Sequence, residues 1–208
     1  MLQAILFDLD GVIVDSRKST IQYFQETFRH FNLPVPKEED FLPLLGLKTL
    51  DITKKLLPNL SEEKIHPIYK YSKKMSIKYA SQITLIHGAI DVLQRLKVKY
   101  KLGILTNRSK NTVNILFRKY ALYKLFDVVI DREDIIRHKP HPEGIFKAMK
   151  KLRVKPHETI YIGDSQVDVK AAKNARVRCV FVSLSKDDYG ADYHIATIQK
   201  LQTIIDAL

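Results

Sequence analysis

The chain begins with a short apolar segment that runs directly into two carboxylates and a glycine. Residues 4–7 read Ala-Ile-Leu-Phe, and Asp8-Leu9-Asp10-Gly11 follows. A short apolar run ended by a turn is typical of a strand buried in a parallel sheet, so the aspartates are expected at its carboxyl end, where open α/β sheets bind ligands. Residues two apart on an extended segment point the same way, so both carboxylates can face one site. A solvated Asp-Gly turn explains the same residues equally well.

Beyond residue 85 the hydrophobic pattern alternates between helices and strands. The predicted strands lie at 102–105, 128–130, 159–162 and 179–182. Such alternation implies right-handed crossovers and a parallel sheet with helices on both faces. The predicted fold class is therefore α/β, a Rossmann-like parallel sheet flanked by helices.

A block of helical patterns separates the first strand from the others. Ser16 is predicted to cap the first of these helices. Further helical patterns lie at 38–45, 49–57 and 61–80. The sequence thus predicts two domains, with a helical cap inserted after the first strand. These domains are an α/β core of residues 1–14 and 85–208 and a cap of residues 15–84.

The composition is that of a globular protein, with 45% hydrophobic and 28% charged residues. The first apolar run ends at Asp8 and no long one follows, so neither a signal peptide nor a membrane span is expected, and a cytoplasmic location is predicted. Cys179 is the single cysteine, which excludes an internal disulfide and a cysteine-rich metal site. Its apolar neighbours indicate a buried small hydrophobe.

Lysine and arginine (35) outnumber aspartate and glutamate (23), which gives a formal charge of +12. A basic surface raises encounter rates with anionic partners, whether nucleic acids or small phosphates. The lysine pairs are spread through predicted helices, as in Lys54-Lys55, Lys73-Lys74 and Lys150-Lys151. This spread favours solvated helix faces, and nothing resembles a helix-turn-helix, a zinc finger or an aromatic RNA-binding strand. Nucleic acid is therefore not expected as a partner.

Polar residues also follow the other predicted strands. They are Thr106, Asn107 and Arg108 after the strand at 102–105, Lys139 in the loop beyond 128–130, and Asp164 and Asp168 after 159–162. Because parallel strands end at one edge of a sheet, the carboxylates of Asp164 and Asp168, the Thr106 hydroxyl and the Lys139 ammonium are expected to converge on Asp8 and Asp10. Polar loop residues are common, but their occurrence after several strands favours a site over surface solvation.

Four of these segments resemble, in the same order, the motifs of the haloacid dehalogenase superfamily. The segments are FDLDGV at 7–12, LTN at 105–107, KP at 139–140 and GDSQVD at 163–168. The resemblance spans nearly the whole chain. The helical segment between the first two motifs is similar to the cap of the phosphoglycolate phosphatase and β-phosphoglucomutase branch.

This resemblance implies the roles of the first two aspartates. Asp8 would be the nucleophile that attacks phosphorus and forms an aspartyl-phosphate. Asp10 would protonate the leaving oxygen and then activate the water that hydrolyses the acyl phosphate. Family members that cleave carbon–halogen bonds lack a carboxylate at the second position, so Asp10 favours phosphoryl transfer over dehalogenation.

The resemblance also implies a Mg²⁺ site. Asp8, Asp164 and the main-chain carbonyl of Asp10 would hold the ion, and Asp168 would be either a ligand or a partner of the ligands. Gly163 would let the backbone approach the site closely. Magnesium is accordingly the predicted cofactor.

Phosphate recognition is expected from the second and third motifs. Thr106 and neighbouring amides, including Asn107, would bind the non-bridging phosphate oxygens near a helix start capped by Ser109. Lys139 would neutralise charge on Asp8 and on the transferring phosphoryl group.

The cap segment Leu45-Gly46-Leu47-Lys48 resembles the loop that meets the leaving group in relatives. Lys48 is a candidate for binding a carboxylate or second anionic group, although a glycine helix stop followed by an exposed lysine explains the same residues. Arg108, beside the second motif, is a further candidate for substrate binding. His87 is interpreted as a residue flanking a hinge.

The predicted function is a Mg²⁺-dependent phosphatase that hydrolyses a small, phosphoglycolate-like phosphate monoester through an aspartyl-phosphate. A basic residue after Thr106-Asn107 is closer to the phosphoglycolate phosphatases than to the mutases. A β-phosphoglucomutase-like sugar-phosphate phosphoryl transferase remains an alternative, as does a non-catalytic phosphate- or nucleic-acid-binding protein. The expected partner is a small phosphorylated metabolite, and the chain is expected to be a monomer or homodimer.

Overall fold

The computed structural model describes residues 1–208, except for the side chain of Leu42. Its strands are β1 (Ala4–Phe7), β2 (Val14–Asp15), β3 (Thr84–Leu85), β4 (Lys101–Leu105), β5 (Val128–Ile130), β6 (Thr159–Gly163), β7 (Arg178–Val182) and β8 (Tyr193–Ile195). Its α-helices are α1 (Arg17–His30), α2 (Glu38–Phe41), α3 (Thr49–Leu56), α4 (Glu62–Tyr79), α5 (Ala89–Lys97), α6 (Lys110–Lys119), α7 (Glu143–Leu152), α8 (Gln166–Asn174) and α9 (Leu201–Asp206). Short 3₁₀ helices lie at Leu42–Leu44, Ala80–Gln82, Leu122–Lys124, Arg132–Asp134, Pro156–Glu158 and Ile198–Lys200.

The main sheet is parallel, in the order β5-β4-β1-β6-β7-β8. The four residues of the central strand β1 are fully buried. Ile5 and Phe7 pack into the hydrophobic cluster on one side of the sheet, and Ala4 and Leu6 pack into the cluster on the other. Because alternate residues of a strand face opposite sides, helices must cover both faces. The predicted α/β fold class is confirmed.

The helices α1 to α4 lie between β2 and β3, and they have a hydrophobic cluster of their own. Its buried members are Ile21, Tyr23, Phe24, Phe28, Phe41, Leu44, Ile52 and Met75. The strands β2 and β3 pair antiparallel, with Val14 opposite Leu85 and Asp15 opposite Thr84. This ribbon, which the sequence did not predict, therefore joins the two ends of the helical segment.

The two predicted serine caps have different outcomes. Ser109 precedes α6, and its hydroxyl accepts a hydrogen bond from the Thr112 N–H at 3.5 Å, as predicted. Ser16 precedes α1, but it makes no capping bond and its hydroxyl donates to the Asp10 carboxylate. The prediction that Ser16 caps the helix by its side chain is wrong, because a charged acceptor lies within its reach.

Two further features concern the ends of the chain and membranes. The edge strand β8 was not predicted, and the last helical segment of the chain consists of the 3₁₀ helix Ile198–Lys200 followed by α9. Among the described helices, none has the length and apolar character needed to cross a bilayer. The cytoplasmic location stays a prediction.

Candidate active site

The carboxyl edge of the sheet brings the sequence motifs together. Asp8 directly follows β1, and its N–H donates to Ile162 O in β6 at 2.8 Å. Thr106 directly follows β4, and its N–H donates to Ile130 O in β5 at 3.0 Å. Both residues thus continue the hydrogen-bond pattern of the sheet by one position. The sheet itself therefore fixes the backbone that carries them.

A buried lysine joins two of the aspartates. Lys139 Nζ lies 2.8 Å from Asp8 Oδ1 and 2.6 Å from Asp168 Oδ1. The side chains are 2%, 5% and 0% exposed, respectively, so water screens these charges little. Nζ also donates to the Tyr161 hydroxyl at 3.1 Å and to Leu105 O at 3.4 Å. Lys139 is thereby fixed against the β1, β4 and β6 ends of the sheet.

Burial and neighbouring charges together shift the pKa values of Asp8 and Lys139. Burial raises the pKa of Asp8 to about 7; Lys139 opposes this rise, whereas the charges of Asp168 and Asp10 add to it. For Lys139, burial favours the neutral amine, but the carboxylates of Asp168 and Asp8 outweigh it and raise the lysine pKa. One ammonium therefore does not compensate all the negative charge in the site.

The arrangement of carboxylates fits a divalent cation. Oxygens of Asp8, Asp164 and Asp168 lie within 4.8 Å of one another. Burial, together with the charges of Asp168 and Asp8, raises the pKa of Asp164 well above its usual range. Gly11 has a φ of +70°, and a Cβ there would lie 1.7 Å from Asp164 Oδ2. A glycine at this position leaves room for the carboxylate, and clustered oxygens are the donors that Mg²⁺ prefers.

Asp168 differs from the other two members of this cluster. Its Oδ1 accepts from Lys139 and, at 2.9 Å, from the Tyr161 hydroxyl. Its Oδ2 accepts from the Ser165 N–H at 3.2 Å and from the Ser165 hydroxyl. Both oxygens of Asp168 are thus engaged by the protein, which favours a role in positioning Lys139 and the start of α8 over direct metal binding.

Asp10 lies outside the carboxylate cluster and pairs with Arg108. Arg108 Nε lies 2.8 Å from Oδ1 and 2.7 Å from Oδ2, and Nη2 lies 2.7 Å from Oδ1. The Ser16 hydroxyl donates to the same carboxylate. The Arg108 N–H donates to Thr106 Oγ1 at 3.1 Å, so the second motif and Asp10 form one connected group.

A cavity of about 110 Å³ lies between the sheet edge and the helices α1 to α4, and Thr106 and Asp168 are buried behind its described lining residues. The core contributes Asp8, Asp10, Asn107, Arg108, Arg132, Lys139 and Asp164, and the helical segment contributes Tyr23, Gly46, Thr49 and Ser76, among others. Asn107 Nδ2 donates to Gly46 O at 3.3 Å, which bridges the two sides. Lys48 is not among the described lining residues, and its Nζ lies 3.8 Å from Asp51 Oδ2.

Sequence reasoning missed two residues of this site, Arg132 and Tyr161. Tyr161 interrupts the aliphatic strand β6 and is fully buried. A buried tyrosine hydroxyl usually has a partner, which is the signal that could have found it. Arg132 follows β5 at the same sheet edge as the motifs, but nothing in the sequence distinguishes it from a surface arginine.

Replacing Tyr161 with Phe is expected to lower the free energy of unfolding by about 1–3 kcal/mol, because hydrogen bonds to the charged Asp168 and Lys139 are lost while the ring remains. Urea denaturation measures this change. The matched control is Tyr123→Phe, which removes an exposed hydroxyl bonded to Asn114 Oδ1 at 2.7 Å. The control should stay within about 0.5 kcal/mol of the wild type. Equal losses in the two variants would contradict the role given to the Tyr161 hydroxyl.

A parallel sheet thus gathers acidic groups, a lysine and a threonine at one edge, beneath a helical segment. Residues 5–182 match the family described as haloacid dehalogenase-like hydrolase. The chain belongs to this family, as its motifs predicted.

Individual relatives agree with this assignment. The pyrophosphatase PpaX of Bacillus mycoides (strain KBAB4) is 29% identical over 213 residues, which cover 100% of this chain and 98% of the relative. The structure of a putative haloacid dehalogenase-like hydrolase from Bacteroides fragilis has a TM-score of 0.90 and 23% identity, and covers 97% of this chain and 100% of that one. That of a putative phosphoglycolate phosphatase from Lactobacillus plantarum has a TM-score of 0.89 and 20% identity, and covers 98% and 99%. At these identities the two structures show the shared fold. The prediction of an enzyme of the phosphatase type is confirmed at the level of the family.

Proposed function

We propose that this enzyme is a Mg²⁺-dependent phosphatase that hydrolyses a small phosphate compound through an aspartyl-phosphate on Asp8. One observation carries the proposal: Asp8 lines the cavity, belongs to the carboxylate cluster and has one oxygen 2.8 Å from Lys139 Nζ. A phosphoglycolate-like monoester is the favoured substrate. Pyrophosphate is a second candidate, because the name of the Bacillus relative describes that activity.

The first half of the reaction uses Asp8 as nucleophile. A carboxylate oxygen of Asp8 forms a bond to phosphorus as the bond from phosphorus to the leaving oxygen breaks, which yields the aspartyl-phosphate. Lys139, held at Asp8 Oδ1, places its charge where negative charge accumulates during the transfer. Thr106 and Asn107 follow β4 at the same edge and are proposed to bind the non-bridging oxygens.

Asp10 is proposed to move the protons in both halves. It donates a proton to the leaving oxygen and then, as a carboxylate, accepts a proton from the water that attacks the aspartyl-phosphate. The ion pair with Arg108 and the hydrogen bond from Ser16 engage both oxygens of the Asp10 carboxyl group. Acid catalysis therefore requires Arg108 to release one oxygen, and we assign this displacement to substrate binding.

The metal ligands are proposed to be Asp8, Asp164 and the main-chain carbonyl of Asp10, while Asp168 positions Lys139. Bound Mg²⁺ would supply positive charge that reduces repulsion between Asp8 and an incoming phosphate.

We propose further that residues 1–14 and 85–208 form the core domain and residues 15–84 a cap domain. The hydrophobic cluster within α1 to α4 and the β2–β3 ribbon support this division. Lys48 is retained as a cap residue that helps to bind substrate, although in the structure it pairs with Asp51.

A steady-state assay tests this function. Phosphoglycolate, pyrophosphate and p-nitrophenyl phosphate are each incubated with enzyme in Mg²⁺ and in excess chelator, and released inorganic phosphate is measured. Release that depends on Mg²⁺ is the expected result, and release that is unchanged in chelator would refute the metal-dependent mechanism. In a parallel incubation with a sugar phosphate, isomerisation with little phosphate release would instead select the mutase alternative. Membership in a hydrolase family favours either enzyme over the non-catalytic alternative.

Millimolar Mg²⁺ is expected to raise the melting temperature more at about pH 8 than at about pH 6. The metal requires ionised carboxylates, and burial raises the pKa of Asp8 to about 7, so protons compete with Mg²⁺ below that pH. In the limit, each pH unit below this pKa weakens apparent Mg²⁺ affinity roughly tenfold. Differential scanning fluorimetry at constant ionic strength measures the shift. Equal shifts at both pH values, or an unchanged pattern in Asp8→Asn, would contradict the proposed site.

A further inference from the structure

Arg132 brings a guanidinium to the cavity from the 3₁₀ helix Arg132–Asp134, which follows β5. Its N–H donates to Arg108 O at 2.9 Å, so the loops after β4 and β5 are joined at the sheet edge. The Arg132 side chain is 14% exposed, and its Nη2 lies 3.0 Å from Glu133 Oε1. The Glu133 side chain is 44% exposed and also accepts from the Lys110 N–H at 2.7 Å. Because Glu133 is shared with Lys110 and exposed to solvent, it compensates the charge of Arg132 only weakly.

The other cations on the core side of the cavity have carboxylate partners inside the site. Lys139 contacts Asp8 and Asp168, and Arg108 is paired with both oxygens of Asp10. Among the described lining residues from the core, Arg132 alone has its carboxylate partner outside the cavity. Since a guanidinium remains charged at all relevant pH values, Arg132 adds positive charge to the cavity wall.

The helical segment adds a hydrogen-bond donor to the cavity wall. Tyr23 lines the same cavity and is 6% exposed. Burial raises the pKa of Tyr23 to about 12, so its hydroxyl keeps its proton and can donate it to an acceptor.

We propose that Arg132, assisted by the Tyr23 hydroxyl, binds a second anionic group on the leaving part of the substrate. This inference rests on the proposed function, in which Asp8 and Lys139 engage the transferring phosphoryl group. The proposed subsite favours phosphate compounds with a second anionic group close to the transferring phosphoryl group. That group is either a carboxylate or a second phosphate. A cavity of about 110 Å³ suits such short molecules. Guanidinium groups bind carboxylates and phosphates through paired, charge-assisted hydrogen bonds, which a neutral leaving group cannot form.

The test compares kcat/KM for three substrates in the wild type and in Arg132→Ala. Phosphoglycolate carries a carboxylate, pyrophosphate carries a second phosphate, and p-nitrophenyl phosphate has an uncharged leaving group. Loss of one charge-assisted contact predicts a decrease of roughly 10- to 100-fold for the first two substrates. Turnover of p-nitrophenyl phosphate should change by less than about threefold, because the phosphoryl contacts remain. A loss confined to one of the first two substrates identifies which anion occupies the subsite and also supports the proposal.

The control variants separate charge, geometry and folding. Arg137→Ala removes an arginine that is 68% exposed and pairs with Glu143, and it should leave all three substrates unchanged. Arg132→Lys should recover part of the loss. If Arg132→Ala does not fold, Arg132→Gln is compared with the wild type on the same three substrates.

Equal losses on the three substrates, no loss on any of them, or a wild type that prefers p-nitrophenyl phosphate would overturn the inference and leave the phosphatase proposal intact. A wild type that releases phosphate from none of them would overturn the proposed function itself.

Discussion

Asp8→Asn is expected to lower kcat by roughly 10⁴-fold or more while the protein stays folded. The amide has nearly the shape of the carboxylate, but it is a poor nucleophile and cannot form a stable acyl phosphate. Folding should persist because Lys139 keeps Asp168 as an ionic partner at 2.6 Å, and the amide oxygen can still accept from Nζ. The measurement is phosphate release in Mg²⁺ with whichever substrate the wild type hydrolyses, combined with a circular dichroism spectrum.

Acid quenching with radiolabelled substrate distinguishes the two aspartates of the first motif. The wild type should retain label on Asp8 during turnover, whereas Asp8→Asn should retain none. With p-nitrophenyl phosphate, whose leaving group needs little protonation, Asp10→Asn should still be labelled, with slower release, because water attack loses its base. Asp91→Asn, at an exposed position in the first turn of α5, is the matched control and should behave as the wild type. Activity of Asp8→Asn within tenfold of the wild type would refute the covalent mechanism.

The strands that the sequence predicted are mostly buried and contain short apolar runs. Such strands are continuous apolar runs, and β1, β4, β5, β6 and β7 all lie within a residue of their predicted bounds. The edge strand β8 pairs with β7 alone, and its residues are half-buried, exposed and buried in turn, so it has no comparable run. The strands β2 and β3 have two residues each and form by pairing between distant parts of the chain. A local sequence pattern cannot predict such pairing.

The candidate site also has features that could be predicted from the sequence and features that could not. Convergence of Asp8, Thr106, Lys139 and Asp164 could be predicted because the topology of a parallel sheet places strand ends at one edge. The pairs that side chains form could not be predicted, because the direction of a long side chain depends on tertiary packing. Arg108 reaches Asp10, and Lys48 lies beside Asp51 instead of among the described cavity residues. Tyr161 likewise belongs to the site because of tertiary packing, which brings its hydroxyl within hydrogen-bond distance of Asp168.

Lys139→Met is expected to lower the free energy of unfolding by about 3–5 kcal/mol in chelator, because it leaves buried carboxylates without their cation. The side chains of Asp8 and Asp168 are 5% and 0% exposed, so water cannot replace the ammonium. Catalysis should also fall by roughly 10²–10³-fold, since a charge beside the nucleophile is lost. The matched control is Lys37→Met at a surface pair with Glu39, where the side chains are 80% and 72% exposed. Such an exposed pair contributes about 0–1 kcal/mol.

The pH dependence of this loss provides a further check on its cause. The pKa of Asp8 is already raised to about 7 by burial, with Lys139 opposing the rise, so removal of the lysine should raise it further. A folded-state pKa above the unfolded value means that the native state binds more protons, and its stability therefore decreases as pH rises. The difference between wild type and Lys139→Met should accordingly be smaller at about pH 5.5 than at about pH 8.

The double variant Lys139→Met/Asp168→Asn removes one of the repelling carboxylates and should recover part of the lost stability, as measured by urea denaturation in a double-mutant cycle. A loss that does not depend on pH, and that Asp168→Asn does not reduce, would show that packing of the lysine stem, instead of its charge, stabilises this part of the core.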